Sequence, residues 1–400
     1  MSLLEDAAEL QEDLVRLRRH LHAEPEVGLD LPRTQEKVLR ALESVPLEVS
    51  TGSALTSVVG VIRGTAATEG AERRTVLLRA DMDALPLPEK TGLGFASRFP
   101  GAAHACGHDL HTAMLVGAAQ LLADRREQLA GDVILMFQPG EEGHDGARLM
   151  LEEGLLDAAG RRPDAAFALH VGAASPVGGF GARPGVALAA SGTAEVVFRG
   201  SGGHGAWPHA ARDPIPALCA AVGALQTMVT RRFDALEPVL VSVGQISAGS
   251  APNIVPDTAR LTATLRALGT DARDRLAQEI ERVCHGIAHA HGVEAEVVVR
   301  DGYPITVNDE AEVEFAGSVI AELFGPDRFV RQRRPALVAD DIGRVLARVP
   351  GVMVSLGACP AGLDPERAAP NHAPTAVFDD GVLAAGAATL AEFALRRTSR

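Results

Sequence analysis

The sequence predicts an α/β protein of two domains. One is an α/β/α domain around a mixed sheet, drawn from residues 1–188 and 302–400, and the other is a ferredoxin-like α+β domain inserted at 189–301. Three observations predict it. The chain has 400 residues, more than one domain usually holds, so two cores are expected. Short apolar runs alternate with amphipathic helical stretches over the first part and again near the end. Between these parts the rhythm changes to strand, helix, strand, strand, helix, strand, the order of the split βαβ unit.

In chain order, the first stretch to His22 mixes acidic and basic residues with apolar ones at helical spacing, and it lacks the continuous apolar core of a signal peptide. Apolar runs at 75–79, 132–138 and 165–170 read as strands with helical patterns between them. The inserted part reads as strands at 194–198, 239–247, 259–268 and 293–299, with helices at 214–231 and 271–291. The α/β pattern then resumes with a helix at 310–324, a strand at 352–356 and a closing helix at 375–396. The Pro- and Gly-rich stretch 175–185 reads as an ordinary connection.

Composition narrows the function classes. Hydrophobic residues form 46% of the chain and charged residues 22%, the balance of a folded globular protein. Acidic residues outnumber basic ones by 52 to 38, and a net charge of -14 repels phosphate backbones and anionic lipid, which argues against nucleic acid or membrane as partner. The most apolar run, 215–229, is too short to span a bilayer. Cys106, Cys219, Cys284 and Cys359 are too sparse for a disulfide framework, so a cytoplasmic location is expected.

Several polar clusters fall where the strands of this rhythm end, the edge at which open α/β sheets bind ligands. Asp81-Met82-Asp83 offers alternating carboxylates to one site; read alone, it is equally a solvated turn before Pro86 and Pro88. His104-Ala105-Cys106-Gly107-His108-Asp109-Leu110-His111 packs three imidazoles, a thiol and a carboxylate into eight residues at the start of a helical pattern. Neutral imidazole and thiolate are preferred ligands of zinc and similar ions, whereas a core histidine normally comes singly. A nucleophilic Cys106 paired with a histidine is the rival chemistry, and it leaves the next cluster unexplained. That cluster is Glu141-Glu142, in a Gly-rich loop where adjacent side chains point in different directions. One carboxylate can hold an ion while its neighbour carries a proton, the two roles that metal-assisted hydrolysis needs. His170 at a strand end and His372 in Pro370-Asn371-His372-Ala373-Pro374 are each ambiguous alone.

Taken in order, these motifs resemble the family of aminoacylase-type metallopeptidases and amidohydrolases that includes hippurate hydrolases, bacterial N-acyl amino acid amidohydrolases and plant auxin-conjugate hydrolases. The resemblance begins at Leu21-His22-Ala23-Glu24-Pro25-Glu26, runs through residues 79–86, 104–111, 138–143 and 169–171, and ends at Asn371-His372-Ala373-Pro374. It implies a hydrolase that splits the amide bond of a small N-acyl amino acid or related conjugate with a metal-activated water. The implied cofactors are two divalent ions per subunit, zinc or manganese, held by Cys106, His108, Glu142, His170 and His372. Glu141 would be the general base and acid, and Asp83 would orient a ligand from behind. The residues 1–188 and 302–400 would then form the catalytic domain, and 189–301 a lid and dimerisation module of a homodimer. By the same resemblance His204 of the insert reaches towards the reacting carbonyl of a neighbouring subunit's site, while Asn253 and Arg266 help hold the substrate, the arginine offering a fork suited to a carboxylate.

Two departures stand out. Ala339-Asp340-Asp341-Ile342 occupies the place where relatives commonly carry Ser-Glu-Asp-Phe, and is expected to alter the floor of the substrate pocket. Trp207 follows His204 by three residues, where many relatives have a smaller or more flexible side chain; it either contacts an acyl group or packs. Two other functions compete with the amidohydrolase. A dipeptidase or aminopeptidase on the same scaffold is disfavoured by Cys106, since a carboxylate usually holds the bridging position there. A non-catalytic binding protein would be expected to lose part of the acidic pair or a ligand, yet all are present.

Overall fold

The computed structural model describes residues 2–66 and 73–399, so the expected domain limits at Met1 and Arg400 lie outside the described residues. The chain forms two compact units, one of Met1–Gly185, Val307–Arg334 and Asp341–Arg400, the other of Val186–Thr306 and Pro335–Asp340.

The first unit is built on an eight-stranded mixed sheet. Its order is Glu48–Thr51, Val58–Arg63, Asp132–Gln138, Thr75–Asp81, Ala165–Gly172, Gly351–Gly357, Phe180–Ala182 and Phe329–Arg331. The four central strands, from Asp132–Gln138 to Gly351–Gly357, are mutually parallel, so their carboxyl ends share one edge. Thr75–Asp81 and Asp132–Gln138 are buried at every position, which is why 76–78 and 133–137 are apolar at consecutive rather than alternating positions. Alternation reappears in what they touch. Val76, Leu78, Val133, Leu135 and Phe137 enter one core, and Leu77, Ile134 and Met136 enter the other, on the opposite face. The helix His108–Ala123 is apolar nearly all round and correspondingly buried. It packs against the last helix, Leu383–Thr398, so closely that a Cβ on Gly386 would lie 2.3 Å from Met114 Sδ.

That last helix starts later than the pattern from 375 suggests. Residues ahead of it are held in other bonds: Pro374 O accepts from Lys90 N, Asp379 N donates to Ala358 O, and the Asp379 side chain accepts from Gly381 N in the short turn Asp380–Val382. Two short strands at one end of the sheet, Phe180–Ala182 and the edge strand Phe329–Arg331, leave no mark in the sequence, because three residues carry no periodicity.

The second unit has a four-stranded antiparallel sheet in the order Val239–Ala248, Thr258–Ala267, Ala190–Arg199, Glu294–Asp301, with helices Pro214–Arg232 and Thr270–Ala290. Strand order and connections are ferredoxin-like. The unit also takes in Pro335–Asp340, tied by bonds from Ala189 N to Ala336 O and Val338 O.

Candidate metal centre

Cys106 and His108 stand on the turn that enters the buried helix His108–Ala123. Gly107 makes this turn with φ 85, and a Cβ there would lie 2.3 Å from Val171 Cγ2, so a side chain is excluded on both counts. Asp81 ends one parallel strand, Glu141 and Glu142 follow the end of its neighbour, and His170 lies near the end of the next. His372 arrives on a loop in the left-handed conformation, φ 69, unusual for a non-glycine residue and typical of constrained functional positions. Its N–H is fixed to Ala105 O at 2.8 Å.

These elements bring metal-ligating atoms together. The donor atoms of Cys106, His108 and His170 lie within 4.8 Å of one another, as do those of Cys106, Glu142 and His372, and those of His108, Glu141 and Glu142. Cys106 Sγ is 3.6 Å from His170 Nε2 and 3.3 Å from His372 Nε2, which is itself 3.1 Å from Glu142 Oε1. His170 Nδ1 faces Val171 O at 3.0 Å and must carry the proton, leaving Nε2 with its lone pair towards the thiol. Both ring nitrogens of the fully buried His108 lack a hydrogen-bond partner. The nearest carboxylates, Asp81 and Asp83, stand at 3.6 and 3.5 Å from them. Such an imidazole is costly as packing and well suited as a ligand. Thiolate, imidazole and carboxylate donors that share Cys106 between two groups fit a pair of divalent cations.

The electrostatics agree. Burial pushes the Cys106 thiol up, but the imidazoles of His170 and His108 outweigh it and hold the pKa well below the ordinary value. Hydrogen bonds to Cys106 and Glu142 raise His372 to about 10. Burial raises Glu142 despite the bond to His372. A cation among these groups takes the place of the His372 proton, so binding it releases protons.

A second layer of buried groups fixes the first. Asp83 accepts the backbone N–H groups of Glu141 and Glu142, both at 2.9 Å, so it holds the loop that bears the acidic pair. His111 accepts from Val171 N at 2.8 Å through Nε2 and therefore donates from Nδ1 to Asp81 Oδ1 at 2.5 Å; with both nitrogens engaged, it is a support rather than a ligand. Burial opposes ionisation of Asp81, but Arg79, His108 and His111 hold it well below the carboxylate range. Arg79 reaches Asp81 at 2.7 Å and Asp341 at 3.2 Å. Asp341 also accepts from Gln138 and from Ala147 N, all buried. Asp341 thus braces the Glu141-Glu142 loop, and its carboxylate and that of Asp340 lie within 4.8 Å of the Glu141 carboxylate. Asn371 ties the His372 loop to Cys106 O, Val171 O and Ala173 N. Asp109 accepts from Arg18 and His22 and anchors the first helical turn, giving the Leu21–Glu26 motif a structural role. Within that motif Glu26 accepts from Thr34 N and Oγ1.

Of the three histidines in 104–111, only His108 joins the donor groups that include Cys106. His104 is buried, and burial pushes it down to about 3. His111, Asn371 and Asp341 were the supporting residues that sequence reasoning missed. The first two adjoin recognised ligands, but nothing in the sequence separates a support from a ligand.

In the second unit, His204 lies on the short strand Gly203–His204, opposite Ile254. Gly205 N donates to Asn253 O at 2.8 Å, so His204 and Asn253 are neighbours across this ribbon. Arg266 donates to Leu337 O, Thr264 Oγ1 and Leu265 O, and burial lowers its pKa. Among the described residues no helix is long and apolar enough to cross a membrane.

Residues 77–396 match the profile described as peptidase family M20/M25/M40. The hippurate hydrolase of Campylobacter jejuni is 35% identical over 400 residues, covering 99% of this chain and 99% of its own. Thermostable carboxypeptidase 2 of Saccharolobus solfataricus is 33% identical over 404 residues, covering 100% of this chain and 98% of its own. Among solved structures, the YXEP protein of Bacillus subtilis, described as a dinuclear metal binding peptidase from the M20 family, superimposes with a TM-score of 0.81 at 30% identity, covering 98% of this chain and 99% of its own.

Proposed function

The chain belongs to peptidase family M20/M25/M40 and is a hydrolase of carbon–nitrogen amide bonds, and from that premise we propose that it splits N-acyl amino acids or related amino-acid conjugates. Cys106, His108, Glu142, His170 and His372 hold two divalent ions in this reading. The observation that carries it is the single thiol shared by two donor groups, with Glu141 next in chain to one of their carboxylates. The thiolate and imidazoles favour zinc, and the carboxylate admits manganese. When bound, the ions polarise the amide carbonyl and bring the pKa of water towards neutrality.

The remaining steps fall to side chains. Glu141 is buried, its backbone is pinned by Asp83, and its Oε2 lies 4.0 Å from His108 Nε2. It takes the proton of the attacking water and passes it to the departing nitrogen. His204 Nδ1 accepts from Ala206 N at 3.0 Å, so Nε2 carries the proton and donates to the carbonyl oxygen as negative charge builds there. Asn253 and Arg266 bind the substrate's amino-acid part, Arg266 taking its carboxylate through Nη2, since Nε and Nη1 donate to Leu337 O, Thr264 Oγ1 and Leu265 O. The second unit, which includes all of 189–301, pairs two copies as a homodimer. The described cysteines are all free, as a cytoplasmic location requires.

Replacing Glu141 by Gln tests the scheme. Metal content should stay at two ions per chain while turnover falls by roughly 10²- to 10⁴-fold; an active variant removes Glu141 from its role. Undiminished activity in chelated, metal-free protein removes the whole scheme. A panel of N-acetyl, N-benzoyl and long-chain acyl amino acids with dipeptides as controls tests the second reading, a peptidase, which the similarity to a thermostable carboxypeptidase supports.

A further inference from the structure

We propose that Asp145 and Arg344 are positioning residues: their ion pair holds the loop 140–146 in the closed shape that sets the Glu141 and Glu142 carboxylates beside the other donors. The inference rests on the reading of Glu141 as proton carrier and Glu142 as metal ligand, and it names what keeps the two in place.

The loop is closed at its base by shape. Gly146 N donates to Gly140 O at 3.1 Å. A Cβ on Gly146 would lie 1.7 Å from Pro139 O, and one on Gly140, where φ is 72, would lie 2.4 Å from Leu29 Cδ2, so neither position admits a side chain. Asp145, immediately before Gly146, sits at φ 58 and ψ 43. Among the described residues His372 is the only other non-glycine residue at positive φ, and it belongs to the donor groups around Cys106. Aspartate tolerates the left-handed region better than most residues, yet its surroundings must still hold it there.

The side chain of Asp145 supplies the hold. An aspartate ahead of a helix commonly accepts the first free N–H groups, but before Gly146–Glu152 it makes no such bond. Its carboxylate is turned instead to two guanidinium groups. Arg344 donates from Nε to Oδ1 at 3.1 Å and from Nη2 to Oδ2 at 2.9 Å, a two-point fork, and Arg148 Nε donates to Oδ2 at 3.0 Å. Arg148 lies on the helix that Asp145 begins, so that bond is local. Arg344 is 199 positions away, on the short helix Gly343–Leu346. Three residues before it stands Asp341, which accepts from Gln138 Nε2 ahead of the loop and from Ala147 N behind it, both at 2.8 Å. The segment 341–344 thus grips the acidic loop before, within and after it. The side chains of Arg344 and Asp145 are 31% and 19% exposed, and a pair in that setting adds little to global stability. Its consequence falls on loop geometry, to which the reaction is sensitive.

The metal-loaded enzyme is compared with R344Q, R344K, D145N and the double variant D145N/R344Q in kcat, KM, denaturant midpoint and hydrogen exchange of the backbone amides of residues 140–147. We expect R344Q and D145N each to lose about tenfold or more in kcat with KM and midpoint nearly unchanged, and their loop amides to exchange faster than those of the parent. The double variant should lose no more than the worse single one, because both changes remove the same interaction. R344K keeps the charge but not the fork and should recover part of the loss. Parental kcat and parental exchange in R344Q overturn the proposal, as does a loss of kcat that comes with a lowered midpoint and faster exchange throughout the chain. E141Q, run alongside, separates this proposal from the reading beneath it. If E141Q keeps full turnover while R344Q is slow and its loop exchanges faster, the pair holds the loop and the role of Glu141 fails. If E141Q is inactive and R344Q is parental by both measures, that role stands and the proposal fails.

Discussion

Asp83→Asn isolates the contribution of one buried carboxylate to the geometry of the acidic pair. Its two oxygens receive the N–H groups of Glu141 and Glu142 at 2.9 Å each, and Asp83 is 1% exposed. Asparagine preserves shape but has one acceptor oxygen. Its amide nitrogen must face the other N–H, which becomes an unsatisfied donor opposite a second donor. A hydrogen bond to a charged group contributes about 1.5–3 kcal/mol, and an unsatisfied buried donor costs about 1–3 kcal/mol, so the variant should lose roughly 1–3 kcal/mol. Asp83→Ala, which abandons both N–H groups, should lose about twice that. The kinetic effect is larger in proportion, because a displacement of about 1 Å in a catalytic loop costs on the order of 10²-fold in rate. The measurements are denaturant midpoints under matched metal conditions, together with kcat, KM and metal content. Expected for the asparagine variant is a fall in kcat with KM and metal content largely kept. Full kcat with a stability change under about 0.5 kcal/mol would refute the claim that Asp83 fixes this loop, since surface-like substitutions stay within that range.

Asp341→Ala should destabilise by about 1–3 kcal/mol, seen as a lowered denaturant midpoint, because it leaves the buried donors of Gln138 and Ala147 unsatisfied and takes from Arg79 one of its two carboxylates, Asp81 being kept. Specificity changes without loss of stability would instead place Asp341 in the pocket. Glu89 predicts a pH dependence: burial raises its pKa, but hydrogen bonds from His22, Thr91 and Ser97 outweigh this and bring it from 4.5 to about 2. A depressed carboxylate stabilises the fold fully above its unfolded pKa, so this contribution holds above pH 4.5 and is lost as pH falls towards about 2. Glu89→Gln should therefore flatten the acid limb of the stability curve, and a curve parallel to that of the parent enzyme would contradict it.

Much of the fold was legible because burial on both faces leaves a plain signature. The strands Thr75–Asp81 and Asp132–Gln138 carry unbroken apolar runs at 76–78 and 133–137, and the ferredoxin-like unit carries full-length strands and helices. Phe180–Ala182 and Phe329–Arg331 were not legible, since their membership of the sheet depends on a neighbour far away in sequence. The same divide runs through the candidate site. Cys106, His108 and Glu142 sit in dense clusters, and density is a sequence property, whereas His170 and His372 stand alone and take their reading from the family resemblance. Supports are defined by their partners. His111 differs from His108 only in that Val171 N and Asp81 occupy its two nitrogens. Asp341 reaches Gln138 from 203 positions away.

The arrangement around Cys106 also decides between the two chemistries that its sequence neighbourhood allows. A nucleophilic cysteine needs one base, oriented by a third group, and an open approach for the carbonyl carbon. Here the buried thiol is met by His170 from one side and His372 from another, while Asn371 Nδ2 lies 3.8 Å from the sulfur. Two imidazoles converging on one sulfur oversupply a base and obstruct attack. They fit a sulfur that two cations would share, each imidazole belonging to a different donor group. Only that assignment gives Glu141 a task. In a thiol mechanism the proton passes through histidine, which leaves no step for Glu141, whose backbone Asp83 holds beside the donor groups.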